Sequence, residues 1–329
     1  MMENPTPRKL ISIVTPCFNE EDNVEPCYEA VRRVFETELP AYDYEHIFCD
    51  NASKDRTEEA LRKLAAKDPR VKLIFNARNF GPSRSTFNGI MAASGDAVVL
   101  FLPVDLQDPP ELIPQMVKQW EAGYQITYGI RANREEGPVM RFIRHRYYRL
   151  VKNWAQVDIP ADVGEFQLVD RVVIKALRKF EDYYPYIRGM VASCGFKSTG
   201  IAYTWKARAR GISKNRLYHL VDEGLNGLVS FTNVPLRACL LGGFVLSCAS
   251  LVYGFVSLLI TLYDYFAHQV KPAQPGIATL IVALFFFSGV QLLFIGVLGE
   301  YIGAIHSQVR KRPMVVERDR VNLTNPGER

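Results

Sequence analysis

The residues best suited to chemistry stand in FLPVDLQDPPELI, positions 101 to 113, where an apolar run ends in Pro103-Val-Asp105-Leu-Gln107-Asp108 and two prolines follow. If the apolar run is extended, alternate residues face one way, so Pro103, Asp105 and Gln107 share a side at its end. Asp and Gln offer hard oxygen donors. Mg2+ or Mn2+ held by one or two protein oxygens plus substrate phosphates is the common arrangement in phosphate chemistry, which makes Asp105 and Gln107 candidate metal ligands. Asp108 stands where a helix N-cap belongs, with Pro109 in the first turn and Glu111 three residues on. It is expected to start the helix that runs through Trp120.

Such a turn needs a scaffold. The strand-like runs LISIVT, YEHIFC, VKLIF, AVVLFL and QITYGI alternate with helix-like runs at 21–37, 55–67, 82–93 and 109–122. That alternation predicts an α/β fold, a mostly parallel sheet wrapped by helices, with ligands beyond the carboxyl ends of the strands. Polar clusters stand at those ends: Pro16-Cys-Phe-Asn19-Glu20-Glu21, Asp50-Asn-Ala-Ser53-Lys-Asp55, Arg78-Asn79-Phe-Gly81, and Asp105 with Gln107. No GxGxxG follows the first strand and GxxxxGK[ST] is absent, so a nucleotide must be held in another way. Asp50 and Ser53 also suit a turn or cap ahead of 55–67.

Beyond about Pro235 the texture changes. No charged residue occurs from Ala238 to Tyr263 or from Gly276 to Gly299, and each stretch exceeds the ~20 apolar residues that span a bilayer core. A transmembrane helical hairpin is expected. Arg237 precedes it and Arg310, Lys311 and Arg312 follow it, whereas the intervening turn carries only Lys271 as a cation; this asymmetry predicts both termini in the cytosol. MMENPTPRKLISIVTPCF has no apolar stretch long enough for a signal peptide, which agrees with a cytosolic large domain on the inner membrane. Between the two parts, NRLYHLVDEGLNGLVSF places Leu217, Leu220, Val221, Leu225, Leu228, Val229 and Phe231 on one helical arc. Packing on the globular domain gives the same pattern, but the span that follows favours the membrane interface. The expected division is thus a catalytic domain at 1–214, a juxtamembrane amphipathic helix at 215–235, two transmembrane helices at 236–306 and a basic tail at 307–329. Six cysteines without a CxxC spacing suit reduced thiols and not a zinc site. A net charge of +5 is modest, and nothing resembles a nucleic-acid-binding module.

The order PCFNE, DNASKDRT, RNFG, DLQDPPELI, ADVGEFQLVDR and RGISK, followed by two apolar spans, resembles the polyisoprenyl-phosphate glycosyltransferases of glycosyltransferase family two. That group includes dolichyl-phosphate mannose synthases and bacterial undecaprenyl-phosphate glucosyl transferases. The resemblance runs from about Leu10 to Arg312. It implies a Rossmann-like glycosyltransferase A fold and inverting transfer of a sugar from a nucleotide diphosphate sugar, with uridine diphosphate glucose first among donors, to a polyprenyl phosphate. The lipid-linked sugar would serve cell-envelope glycan modification. The resemblance also implies a homotetramer. Pro16, Glu20 and Asp50 match positions around base and ribose, with Asn19, Ser53, Arg78 and Asn79 in the same pocket. Arg208 and Lys214, in RARGISK, match the basic pair that meets the diphosphate, where negative charge gathers in the transition state.

The implied acceptor phosphate needs cations, and Arg131, Arg141, Arg144, Arg146 and Arg149, together with Arg188, are the candidates; anionic lipid headgroups are the competing partner for such a run. Asp162, in ADVGEF, matches the carboxylate beside the reacting centre. A phosphate monoester has a second pKa near 6, so a strong base is not required, and Asp162 is assigned first to orienting the reactants. Two departures stand out: Pro103 where the family has the first Asp of Asp-x-Asp, and Trp205 where it has an Arg. They motivate a rival reading as a degenerate, membrane-anchored sugar-nucleotide binding protein. A processive polysaccharide synthase, the other rival, is expected to carry a QxxRW motif and more spans, and the sequence has neither.

Overall fold

A computed structural model describes residues 8–133, 163–204, 234–268, 277–310 and 312–323. The first half follows the expected alternation: β1 (Leu10–Cys17), α1 (Val24–Thr37), β2 (Asp43–Asp50), α2 (Thr57–Lys67), β3 (Val71–Asn76), α3 (Pro82–Ala92), β4 (Ala97–Val99), α4 (Ile113–Glu121) and β5 (Ile126–Asn133). After it come β6 (Val163–Asp170), α5 (Arg171–Leu177), α6 (Ile187–Ser193), β7 (Ser198–Thr204), the long helices α7 (Val234–His268) and α8 (Ile277–Val309), and β8 (Glu317–Val321). One eight-stranded sheet runs in the order β7-β5-β6-β4-β1-β2-β3-β8. β1 pairs parallel with β2 and β4, and β2 pairs parallel with β3. β6 and β8 run against their neighbours.

The two-residue period of the strands explains the layers. Ile11, Ile13, Phe48, Leu73 and Phe75 face one side, where Val31 and Phe35 of α1, Leu61 of α2 and Met116 of α4 cover them. Val14, Ile47, Ile74, Val98 and Val169 face the other, under Phe87 and Ile90 of α3, Ile174 of α5 and Met190 of α6. Gly89 lets α3 lie close to the sheet, because a Cβ there would run into Cys49 Sγ and Val14 Cγ1. At the edge away from the candidate ligands, the buried Glu45 accepts from Ser12 Oγ, from the Ser94 backbone at 2.7 Å and from Lys72 Nζ. Burial pushes its carboxyl up, and these donors more than offset that, holding it below the ordinary range.

Three features differ from the sequence expectation. The run 97–102 is a strand only to Val99; Leu100 and Leu102 still donate to Gln167 O and Val14 O at 2.8 and 2.9 Å, but the chain then folds into a turn in which Leu106 N–H reaches Pro103 O at 3.0 Å. Helix α4 begins only at Ile113, after a 3-10 turn at Pro110–Leu112, and Asp108 caps neither. The segment after α8 is no free tail. β8 pairs antiparallel with β3, Asn88 donates to Glu317 at 2.6 Å, and Met314 and Leu323 pack against the second apolar layer.

The chain divides into two compact units, Met1–Arg216 with Lys311–Arg329, and Leu217–Arg310. In the second, Leu236–Val256 and Ala283–Val309 are long and apolar enough to cross a membrane, with mean hydropathies of 2.0 and 1.8. Large apolar side chains such as Phe244, Tyr253, Phe285 and Leu292 are exposed on these helices, as expected of surfaces that meet lipid and not water. The amphipathic segment 215–231 lies outside the described residues.

Candidate active site

The carboxyl ends of β1 to β4 each lead into a residue with a left-handed backbone: Asn19 (φ 54°), Ala52 (φ 61°), Gly81 (φ 89°) and Leu106 (φ 57°). For the three residues with a Cβ this conformation is unfavourable and needs support from the surroundings. At the first two ends the loops supply it by bonding to one another. Asn19 N–H donates to Ser53 Oγ at 2.9 Å and Asn19 Oδ1 accepts from Lys54 N–H at 2.7 Å. Glu20 N–H reaches Thr57 Oγ1 at 2.8 Å, and Arg56 N–H reaches Glu21 Oε2 at 3.0 Å. The loops after β1 and β2 are thereby one unit.

Asp50 closes its own turn, accepting from Ser53 N–H at 3.1 Å and from the Ser53 hydroxyl. It is 1% exposed. Burial pushes its carboxyl above the ordinary range, and the Ser53 bonds offset only part of that. The turn reading of Asp50 and Ser53 therefore describes their contacts. Pro16, the penultimate residue of β1, stands opposite Cys49 in the register, one position before the Cys17–Asp50 pair. Glu20 accepts from Asn23 Nδ2 at 2.6 Å.

A second network binds the loop after β3 to the same unit. Asn51 Oδ1 accepts from Asn76 Nδ2 at 3.1 Å and from Phe80 N–H at 3.0 Å, while Asn51 Nδ2 donates to Asn79 Oδ1 at 3.0 Å. Asn79 Oδ1 also accepts from Gly81 N–H at 2.9 Å. Arg78 lies exposed, its guanidinium 4.0 Å from the Phe80 ring centroid. Nothing in the sequence signals that Asn51 and Asn76 join these loops, since single asparagines near strand ends are common.

In the turn after β4, Asp105 and Gln107 share a tight bend and not an extended face. Gln107 N–H donates to Asp105 Oδ1 at 3.3 Å. Both side chains are partly exposed. Among the described residues there is no group of three or more His, Cys, Asp or Glu able to hold a metal. One carboxylate and one carboxamide nonetheless suit a hard divalent cation that keeps waters and takes phosphate oxygens from a substrate. The donor set fits Mg2+ or Mn2+.

Asp108, fully buried, spends its carboxylate elsewhere. Arg131 Nη2 donates to its Oδ2 at 2.9 Å, Tyr203 O–H donates to its Oδ1, and Arg131 Nε donates to Tyr203 Oη at 3.1 Å. Arg131, a candidate for the acceptor phosphate, is thus engaged within the fold, with a side chain 21% exposed. Arg188, another candidate, donates from Nη1 to Val163 O at 3.1 Å and from Nε to Tyr186 Oη. The bond to Val163 O fixes the residue directly after Asp162. Asp162 itself, Arg141, Arg144, Arg146, Arg149, Trp205, Arg208 and Lys214 lie outside the described residues.

The family model described as Glycosyl transferase family 2 matches residues 12–178. The chain is 34% identical over 315 residues to the uncharacterized glycosyltransferase YkcC of Bacillus subtilis (strain 168), covering 95% of each chain. It is 35% identical over 307 residues to the SfII prophage-derived bactoprenol glucosyl transferase of Shigella flexneri, covering 93% of this chain and 96% of that one. Among solved structures, the mannosyltransferase PcManGT from Pyrobaculum calidifontis in complex with GDP-Man and Mn2+ is similar at 18% identity and a TM-score of 0.45, covering 94% of this chain and 90% of that one. The family match runs from within β1 through β6 and α5 and takes in the stitched loops at the carboxyl ends of β1 to β3, and the relatives extend the likeness over almost the whole chain, so this protein belongs to glycosyl transferase family 2 and is a glycosyltransferase.

Proposed function

We propose that this glycosyltransferase moves a sugar from a nucleotide diphosphate sugar, with uridine diphosphate glucose as the first candidate donor, to the phosphate of a polyprenyl lipid, inverting the anomeric carbon. The observation that carries this reading is the 35% identity, along 93% of the chain, to a bactoprenol glucosyl transferase. A likeness of that extent takes in both the catalytic domain and the two apolar helices. An acceptor whose tail stays in a bilayer suits that architecture.

The stitched loops after β1 to β3 are the natural cradle for the nucleotide, with Pro16, Asn19, Glu20, Asp50, Ser53, Arg78 and Asn79 around it. The diphosphate then falls toward Asp105 and Gln107, with Arg208 and Lys214 as its cationic partners. A divalent cation, Mg2+ or Mn2+, bound by Asp105 and Gln107 would neutralise the charge that grows on the departing diphosphate. The acceptor phosphate, largely dianionic at neutral pH because its second pKa is near 6, attacks without a strong base. Asp162 orients it, and Arg188 holds the neighbouring Val163 carbonyl in place.

We assign the catalytic domain and both chain ends to the cytosolic side of the inner membrane. The support is connectivity: the chain leaves the sheet before α7 and is hydrogen-bonded back into the same sheet at β8, directly after α8. Two crossings satisfy that path, and the cations at 310–312 agree with the side.

The test is to incubate purified full-length protein with polyprenyl phosphate and a panel of nucleotide sugars, with and without Mg2+ or Mn2+, and to read the lipid by mass spectrometry. A glycosylated lipid phosphate from one donor is the expected result. Binding of nucleotide sugar with no transfer from any donor would favour the degenerate binding protein that Pro103 and Trp205 suggest.

A further inference from the structure

We propose that Asp108 is a positioning residue, the buried hub that fixes the metal-bearing turn relative to the two strands feeding the acceptor and diphosphate segments. The inference rests on the glycosyl-transfer reading for its function, but its geometry stands by itself. Both carboxylate oxygens of Asp108 are used, one by Arg131 and one by Tyr203, and Arg131 Nε closes the triangle on Tyr203 Oη. Arg131 and Tyr203 are register partners in the parallel β5·β7 pair, so the carboxylate is gripped by two adjacent strands at once. Tyr203 is itself held edge-on by Phe166 of β6, with ring centroids 6.3 Å apart. Gly164, also on β6, makes room for the arginine, since a Cβ there would lie 3.2 Å from Nη2.

The chain positions give this cluster its meaning. Asp108 directly follows Gln107 and stands three residues from Asp105. Arg131 lies near the end of β5, whose chain continues to Arg141, Arg144 and Asp162, and Tyr203 lies near the end of β7, whose chain continues to Arg208 and Lys214. One carboxylate therefore ties together the origins of the three segments that carry the metal, acceptor and diphosphate candidates. The turn needs such an anchor. Its bonds include the Leu106 N–H to Pro103 O bond at 3.0 Å and the longer Gln107 N–H to Asp105 Oδ1 bond at 3.3 Å, and Leu106 is left-handed. A buried ion pair is seldom the most stabilising choice for a core, as apolar residues of similar volume often do as well. What it supplies here is direction, because the planar guanidinium fixes the carboxylate angle.

The experiment compares full-length wild type with Asp108→Asn, Arg131→Lys and Tyr203→Phe. For each, calorimetry reads uridine diphosphate affinity with Mn2+, kinetics read kcat and the KM of each substrate, and a thermal melt reads the fold. A positioning role predicts that Asp108→Asn lowers kcat by up to about 100-fold, the scale set by small misplacements of reacting groups. It also predicts weaker Mn2+-dependent nucleotide binding and an unchanged acceptor KM. Tyr203→Phe, which removes one hydroxyl and keeps the ring, moves the same quantities less and carries the test if a charge variant does not fold. A rise in acceptor KM alone in Arg131→Lys would place that arginine on the acceptor and overturn the proposal. So would a lower melting temperature with kcat and nucleotide affinity unchanged. If wild type transfers no sugar, the functional reading fails separately, and the calorimetric comparison still decides whether Asp108 sets the turn.

Discussion

Replacing Asn322 should release the C-terminal strand in a graded way. Asn322 follows β8 with φ 58°, and its Nδ2 donates to Ala65 O at 3.0 Å and Val71 O at 2.9 Å. Alanine removes two hydrogen bonds worth about 1 kcal/mol each and lacks the tolerance of the left-handed region that asparagine has, at about 1 kcal/mol more. The total is about 3 kcal/mol. Glycine loses the same two bonds but takes the backbone conformation freely, so its cost is about 2 kcal/mol. Hydrogen exchange of the β8 amides at 317–321 reads the local opening; at about 1.4 kcal/mol per decade, Asn322→Ala should speed exchange about 100-fold and Asn322→Gly about 30-fold. Uridine diphosphate affinity should fall in the same order, because Val316 O accepts from Ala77 N–H at 2.9 Å beside Arg78 and Asn79. Unchanged exchange in both variants would refute the clamp. Equal exchange in the two would refute the backbone part of the reasoning.

Three further outcomes follow from the same contacts. His46 lies buried with Nε2 2.9 Å from Thr15 Oγ1 and no partner on Nδ1, and burial pushes its pKa down from 6.5 to about 3. The unfolded chain takes up that proton below about pH 6.5 and the folded one does not, so stability falls as the pH falls, by about 2 kcal/mol from about pH 8 to about pH 5; urea unfolding at those two pH values should show this loss in wild type and not in His46→Gln. Asp105→Asn keeps an acceptor for Gln107 N–H and should retain its melting temperature while losing metal-dependent transfer; near-normal turnover would remove the metal assignment. A cysteine probe at Gln274 should label from outside intact cells while one at Gln308 stays protected, and the reverse pattern would overturn the orientation.

The sequence made the sheet legible because a strand buried on two faces leaves a dense apolar run, as LISIVT and YEHIFC do. It made Asp108 misleading. Asp108-Pro109 with Glu111 has the local form of a capping box, but Arg131 and Tyr203, 23 and 95 residues away, take the carboxylate instead. No local pattern carries that information. β8 was hidden for a different reason: ERDRV is almost wholly charged and reads as a solvated tail. In the fold it is an edge strand, where charge suits the open side, and Arg318 and Asp319 pair with Glu58 and Arg62 of α2 at 2.6 and 2.5 Å. The candidate site was legible as polar clusters at strand ends, while the bonds that join them, such as Asn51 to Asn76 and Asn79, appear only once the strands are side by side.

The most direct test of glycosyl transfer to a lipid phosphate is the stoichiometry and configuration of the product from isotopically labelled uridine diphosphate glucose and undecaprenyl phosphate, followed by nuclear magnetic resonance. One glucosyl phosphate lipid should form for each uridine diphosphate released, with the anomeric configuration opposite to that of the donor and with dependence on Mg2+ or Mn2+. Release of uridine diphosphate with free glucose and no glucosylated lipid, or a lipid product that retains the donor configuration, would contradict it.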